Sequence, residues 1–475
     1  LAPFDVQYGG FTACNINAVT KSGTNEVHGS AFYDYTSDSL MGDKVEDTDV
    51  DTGDFTEKRY GVNVGLPLIK DELFFFGAYE KLEGAQIFSY GPLGNQVSQQ
   101  DIDRIREIAS RVYDYDIGGT PGSMPVEDEK VLVKLDWNIN DAHRASLVYN
   151  YNDGFRIDQS DDYSTALSLD SHFYEVGAKL NSTVASLYSD WTDDFSTEVR
   201  LGRIKLTNRQ NSLDADSGFG EIRIDRVNGA DVFFGPDDSR QSNEMDWNST
   251  TAKFAGTYYL DNHTITFGYE YEELEAFNLF MQHTIGEYRF ETIDDFEAGL
   301  ADDIYYNNSA GTNNPQDAAQ RFSYETNTLY VQDEWILDDL TLLFGLRYDK
   351  YSSDDKPKRN EVFAQRYGYD NTSTFDGIDL LQPRFGFNYT LNDNMEVRGG
   401  VGLYSGGNPN VWLSNSFSND GITNIDTYRS DFELFDENGN TVPLVNGGRL
   451  IYSPLQEMFD EVADADPSLG NEPST

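Results

Sequence analysis

Residues 330–351 read YVQDEWILDDLTLLFGLRYDKY. Two extended runs flank Asp338 and Asp339, a connection so short that it predicts a tight hairpin. In the second run Leu340, Leu342, Phe344, Leu346 and Tyr348 fall on one face, while Thr341, Leu343, Gly345, Arg347 and Asp349 fall on the other. The reason is the period-two alternation of side chains along a strand. One face is apolar and aromatic, the other mixed and polar. In a soluble sheet the apolar face would turn into a core; in an outer-membrane barrel it would turn to lipid, with the polar face on the lumen. The hairpin by itself fits both.

Composition narrows the choice. The 475 residues have a mean hydropathy of -0.58, and no run of about 18 apolar residues exists to form a helical membrane span. Barrel strands escape that test, since ~9 to 11 residues suffice and only every second one must be apolar. Aromatics make up 14% of the chain, with 30 Tyr and 30 Phe, which suits the girdles at both bilayer interfaces. The formal charge of -49 excludes a nucleic-acid partner, because phosphate binding needs a basic face. Two uses of the acid stay open: a solvated surface, or loops that collect divalent cations or a cationic ligand. Cys14 is the sole cysteine, so no internal disulfide is expected. Neither an initiator Met nor a signal peptide is visible, and the targeting region is expected ahead of residue 1.

Along the chain, strands are expected at 15–20, 30–35, 59–66 and 73–80. They continue at 130–138, 143–151, 173–191, 196–208, 250–260 and 263–272, then in the opening hairpin, 383–391 and 395–405. Ile102, Ile105, Ala109 and Val112 repeat at helical spacing and predict one amphipathic helix. Asp47, Asp49, Asp51 and Asp54 resemble a calcium loop. The turn Gly is displaced to Gly53 and no Glu stands at the twelfth position, so a solvated loop is the expectation. Long loops are expected around Asp214, Asp216 and Asp231 and, rich in Asn and Gly, at 277–321; the tail beyond Gly406 carries no regular pattern.

Very short turns alternate with loops of tens of residues. A β-sandwich has no reason to sort its connections in this way, whereas an outer-membrane barrel has short periplasmic turns and long external loops. From 30–35 onward about 13 strands are counted, an odd number, so the reading is an all-β, transmembrane antiparallel β-barrel truncated before closure, with strands expected after Thr475. The face of Leu340, Leu342, Phe344 and Leu346 then meets lipid, and a Leu342→Arg change near the midplane should cost ~2 to 4 kcal/mol.

Several of these segments resemble a known family. GGFTACNINAVTKSGTNEVHGSAFYDY, residues 9–35, is similar to the junction between plug and first strand in TonB-dependent outer-membrane receptors. YVQDEW with LTLLFGLRYD, then LQPRFGFNYTL and VRGGVGLYSGG, resembles their mid-barrel strands, and the Oar-like group most of all. The resemblance covers most strand segments and little of the loops. It implies a 22-stranded barrel wide enough to need a plug, location in the outer membrane of a Gram-negative bacterium, and uptake of an extracellular ligand driven by TonB. It divides the chain into the end of the plug and its junction at 1–27, strands with acidic external loops at 28–405, and an external loop segment at 406–475. The TonB box, most of the plug and the closing strands have no counterpart among these residues.

No catalytic or cofactor-binding residue, and no metal ligand, is assigned. His28, His143, His172, His263 and His283 stand apart from one another and from Cys14, so strand ends and loops are their expected places. No GxSxG, phosphate loop or HExxH occurs. The glycines of VRGGVGLYSGG are expected to relieve crowding in a strand. No ligand signature is legible. An adhesion barrel that holds calcium in its acidic loops, without active transport, is the competing reading, and a secreted acidic β-rich enzyme is a third.

Overall fold

The computed structural model describes residues 4–11, 19–42, 44, 45, 48, 49 and 54–465. Thirteen strands form one sheet in which each strand is hydrogen-bonded to the next in the wall, always antiparallel. They are His28–Ser37, Thr56–Ile69, Leu73–Ile87, Ser123–Asn140, His143–Asp158, Tyr174–Thr192 and Phe195–Ser212, then Ser242–Leu260, His263–Met281, Gln320–Leu337, Leu340–Ser352, Asp379–Asn392 and Met395–Gly402. The first and last of these each have a wall neighbour on one side, so the sheet is an open wall. Residues 15–18 of the strand expected at 15–20 lie outside the described residues, and Val19 and Thr20 are not in a strand.

The hairpin of residues 330–351 is turned at Asp338, whose φ of 45° is the left-handed conformation that two-residue hairpin turns require. Asp261 and Asp71 take the same conformation at two other short turns. Face assignment follows the alternation. Phe344 and Leu346 are 46% and 42% exposed on the outside, whereas Arg347 and Asp349 are 6% and 2% exposed on the inside. Outward aromatics mark two levels. Near the short turns, Trp191 packs on His143 and Trp335 stacks on His263. Towards the long loops, the hydroxyls of Tyr149, Tyr269 and Tyr348 donate to Asn181, Asn327 and Asp379. These are the amphipathic rings expected where lipid meets water. Leu342 is paired with Trp335, at the lower aromatic level, so the midplane belongs to Leu346 and not to Leu342 as the sequence suggested.

Most strands run longer than the alternation implies. Ser242–Leu260 and His263–Met281, expected at 250–260 and 263–272, each have 19 residues, as does Tyr174–Thr192, whose length matches the expectation; all are well beyond what a bilayer needs. Above the lipid the two faces no longer meet different solvents, so the alternation fades while the backbone ladder continues.

The long loops are not merely solvated. They contribute a second, six-stranded sheet in the order Asn424–Glu433, Leu300–Ser309, Glu287–Phe290, Glu221–Val227, Ala230–Phe234 and Ala166–Ser168. This cap contains the largest apolar cluster of the described residues, with Phe219, Ile222, Phe234, Tyr288, Phe290 and Phe296 nearly or wholly buried. The expected helix is there, as Gln99–Ile108, with a capping box between Ser98 and Asp101. It runs on into a π turn, Ala109–Tyr113, which shifts the phase so that Tyr113, and not Val112, is buried in the core. The sequence predicts a loop at 277–321 and no regular pattern beyond Gly406. Instead they supply three of the six strands, and the helix Gln456–Asp464 packs on the cap through Met458 and Val462.

Candidate functional site

Two places gather functional groups: the inner surface of the wall, and the base of the cap.

Residues 4–10 lie against the inner faces of the strands from Gln320 to Gly402. Tyr8 N–H donates to the Asp5 carbonyl at 3.3 Å, closing a turn. Val6, fully buried, donates its N–H to Gln332 Oε1 at 2.9 Å and accepts from Arg347 Nη1 at 3.1 Å. Arg384 Nη1 donates to two carbonyls at once, Asp5 at 2.8 Å and Tyr8 at 2.6 Å. Glycines make the seat. A Cβ on Gly345 would come within 2.3 Å of Val6, and one on Gly400 within 2.6 Å of Phe4. Gly400 belongs to VRGGVGLYSGG, and the crowding it relieves is that of the neighbouring strand, through the Phe385 carbonyl oxygen 2.4 Å from the Cβ position, as well as that of the docked side chain.

Arg347 is the hub of this seat. Besides Val6 it reaches Asp349 at 2.9 Å and Glu270 at 3.0 Å. Asp349 also accepts from Thr328 at 2.7 Å and Gln382 at 2.6 Å, which satisfies a carboxylate that is almost fully buried. Beside the segment a cavity of about 320 Å³ is lined by Arg200, Lys253, Glu270, Thr328, Arg347 and Ser405. Its charges are mixed and paired, so it offers hydrogen-bonding groups of both signs to whatever occupies it.

At the base of the cap two histidines stand among carboxylates. His172, fully buried, turns Nδ1 to the Gly235 carbonyl at 3.0 Å and Nε2 to Asp161 at 3.1 Å and Asp237 at 3.8 Å. Burial alone would lower its basicity; the Asp161 hydrogen bond and the charges of Asp237 and Asp161 outweigh this, and the net shift is upward. His283 Nε2 lies 2.9 Å from Asp238 and 3.0 Å from Glu287. Burial again opposes its charge, but the two carboxylates raise its pKa to about 9. Asp238 shifts the other way, below the usual carboxylate value, because the His283 hydrogen bond outweighs its burial. Glu221, 3% exposed, is pushed well above the carboxylate range by burial and then by the charges of Asp238, Glu287, Asp237 and Asp161.

Of the five histidines, His143 and His263 directly follow two-residue turns and His28 begins a strand, as expected. His172 and His283 belong to the cages. Each has one partner in its own connection, Asp161 for His172 and Glu287 for His283, while Asp237 and Asp238 arrive from another, which spacing along the chain does not show. Of the acidic run, Asp47 and Asp51 lie outside the described residues, while Thr48–Asp49 pairs with Lys44–Val45 in a small two-stranded sheet.

The wall, its aromatic levels and its polar interior define a class, and the comparisons agree with it. Residues 19–89 and 93–449 match the family described as outer membrane beta barrel domain, and the chain belongs to that family, a protein of the Gram-negative outer membrane. A stretch of 79 residues is 38% identical to the TonB-dependent transporter Oar of Myxococcus xanthus, covering 15% of this chain and 7% of that protein. The outer membrane transporter YddB from Escherichia coli has the same fold, with a TM-score of 0.52 and 14% identity over 86% of this chain and 46% of that one. The ferric enterobactin receptor PfeA from Pseudomonas aeruginosa aligns at a TM-score of 0.49 and 13% identity, over 88% of this chain and 50% of that one. The chain thus spans about half the length of these solved relatives and a small part of the Oar protein.

Proposed function

We propose that this chain is part of a receptor that takes up an extracellular ligand across the outer membrane, using energy delivered by TonB. The observation that carries the reading is the docking of residues 4–10 inside the wall, held by Arg347, Arg384 and Gln332 on a floor of glycines. A segment held against the inner wall through a few charged hydrogen bonds is suited to staying docked at rest and giving way under load. In this reading residues 1–27 end the plug, 28–405 form the wall with its loops, and 406–475 belong to the outer surface. The activity is binding and passage, not catalysis. Charged groups of both signs in the lumen, with a folded cap above, favour a polar cargo. Calcium-dependent adhesion finds less support, because two of the three acidic clusters of the cap among the described residues contain a histidine, which suits calcium poorly.

The test compares cells that make the protein with and without a working TonB complex. Mass spectrometry of the spent medium should reveal a component depleted by the first and spared by the second. Equal depletion in both would overturn energised uptake, and recovery of the protein in the soluble periplasm would overturn the membrane receptor itself.

A further inference from the structure

We propose that the cap binds one divalent first-row transition-metal ion through His172 Nε2, Asp161 and Asp237. The three ligand atoms lie within 4.8 Å of one another. They come from two connections: Asp161 and His172 from the one that leaves the wall at Asp158, and Asp237 from the one after Ala230–Phe234.

Tautomer geometry is the first argument. Nδ1 of His172 faces the Gly235 carbonyl at 3.0 Å, which can only accept, so Nδ1 carries the proton. In neutral imidazole Nε2 is then a lone pair, and it points between two carboxylates that also offer lone pairs. A cation belongs at that meeting point. A histidine that donates one N–H to a backbone carbonyl while its other nitrogen faces an ion is the usual arrangement of a metal-ligating imidazole.

The second argument is independent of the first. Asp237 is fully buried, its Oδ1 is taken by Arg240 at 3.1 Å, and its Oδ2 accepts no hydrogen bond. That orphaned oxygen is the one turned to His172 Nε2. A buried carboxylate oxygen is expensive to leave unsatisfied, and a ligated cation would satisfy it. In the cage of His283, Nε2 stands at hydrogen-bond distance from both Asp238 and Glu287, as in a shared-proton ion pair, whereas His172 Nε2 has one carboxylate that near, Asp161 at 3.1 Å, and the Asp237 oxygen stands off at 3.8 Å.

One imidazole with two carboxylates is a borderline donor set, which suits Zn²⁺, Mn²⁺ or Fe²⁺ better than Ca²⁺. Asp161 is the partly exposed member, its side chain 32% accessible, so ions can enter from its side. Once bound, the ion would clamp the wall connection to the cap sheet.

The inference is independent of the transport reading, because it is tested by metal binding to purified protein. Tag-free protein in detergent is loaded with Zn²⁺ in the presence of excess Ca²⁺, dialysed, and assayed by elemental mass spectrometry. About one Zn²⁺ per chain is expected, with tenfold or greater loss of affinity in Asp161→Asn and in Asp237→Asn. X-ray absorption of the loaded protein should give a nitrogen and oxygen shell near 2.0 Å. Asp161→Asn is the variant most able to fold, being at the exposed edge. Absence of stoichiometric zinc, or unchanged affinity in both variants, would overturn the site and leave His172 as an imidazolium paired with its two acids.

Discussion

An arginine at position 346 should cost the wall ~2 to 4 kcal/mol, the penalty for a cation on the lipid face at the bilayer midplane. Leu346 projects outward between Val331 and Pro383. Four residues before it on the same strand, Leu342 is level with Trp335; four residues after it, Lys350 is level with Asn327 and Asp379. Each interval is about 13 Å along the strand, or about 10 Å in depth at the usual barrel tilt. Leu346 is therefore the centre of the apolar band, and Leu342→Arg, beside Trp335, should cost only ~0 to 1 kcal/mol. Leu343→Arg is the control for facing. It turns inward next to Glu334, where a cation has an acid to meet, and should be tolerated. Urea unfolding of the protein in lipid vesicles, followed by tryptophan fluorescence, measures all three. The reasoning fails if Leu346→Arg costs less than Leu342→Arg, or if Leu343→Arg costs as much as Leu346→Arg.

Other substitutions probe the seat and the cap. Arg347→Ala leaves Asp349 buried without its cation and removes the Val6 contact; a loss of ~3 to 5 kcal/mol is expected, with residues 4–10 becoming protease-sensitive. Gly345→Val should expel Val6 and produce the same sensitivity, and adding Val6→Gly should partly restore protection, since the clash is with that side chain. Phe296→Ala, at a fully buried position, should weaken the cap by ~3 to 5 kcal/mol while the wall's unfolding transition stays where it was. A single shifted transition would mean that cap and wall unfold as one unit.

What the sequence disclosed follows from what lipid demands. Wherever one face of a strand meets hydrocarbon, as at Phe344 and Leu346, alternation is enforced and the strand can be read. The two-residue turns were equally legible, because Asp and Asn at 338, 261 and 262 are the residues such turns need. The cap was not legible for three reasons. Four of its six strands are short; Glu287–Phe290, for instance, has four residues. Glu221–Val227 pairs in parallel with Glu287–Phe290 and Ala230–Phe234 in parallel with Ala166–Ser168, so no hairpin signal announces either contact. Its polar cages draw on residues more than sixty positions apart, as His172 and Asp237 are, and spacing rules see only neighbours. The π turn at Ala109–Tyr113 hid one more detail, moving the buried position from Val112 to Tyr113.

The turn from Asp5 to Tyr8 gives the seat a mechanical character. One guanidinium, that of Arg384, grips both ends of the turn. Folded, such a turn spans less than about 7 Å between its end Cα atoms; drawn straight, the same three steps cover about 10 Å. Arg384 cannot hold both carbonyls over the longer span. In the proposed energised uptake, tension along the segment would be converted into a stretch of about 3 Å at which one fastening lets go, so that the segment would yield at a threshold of pull instead of slipping gradually.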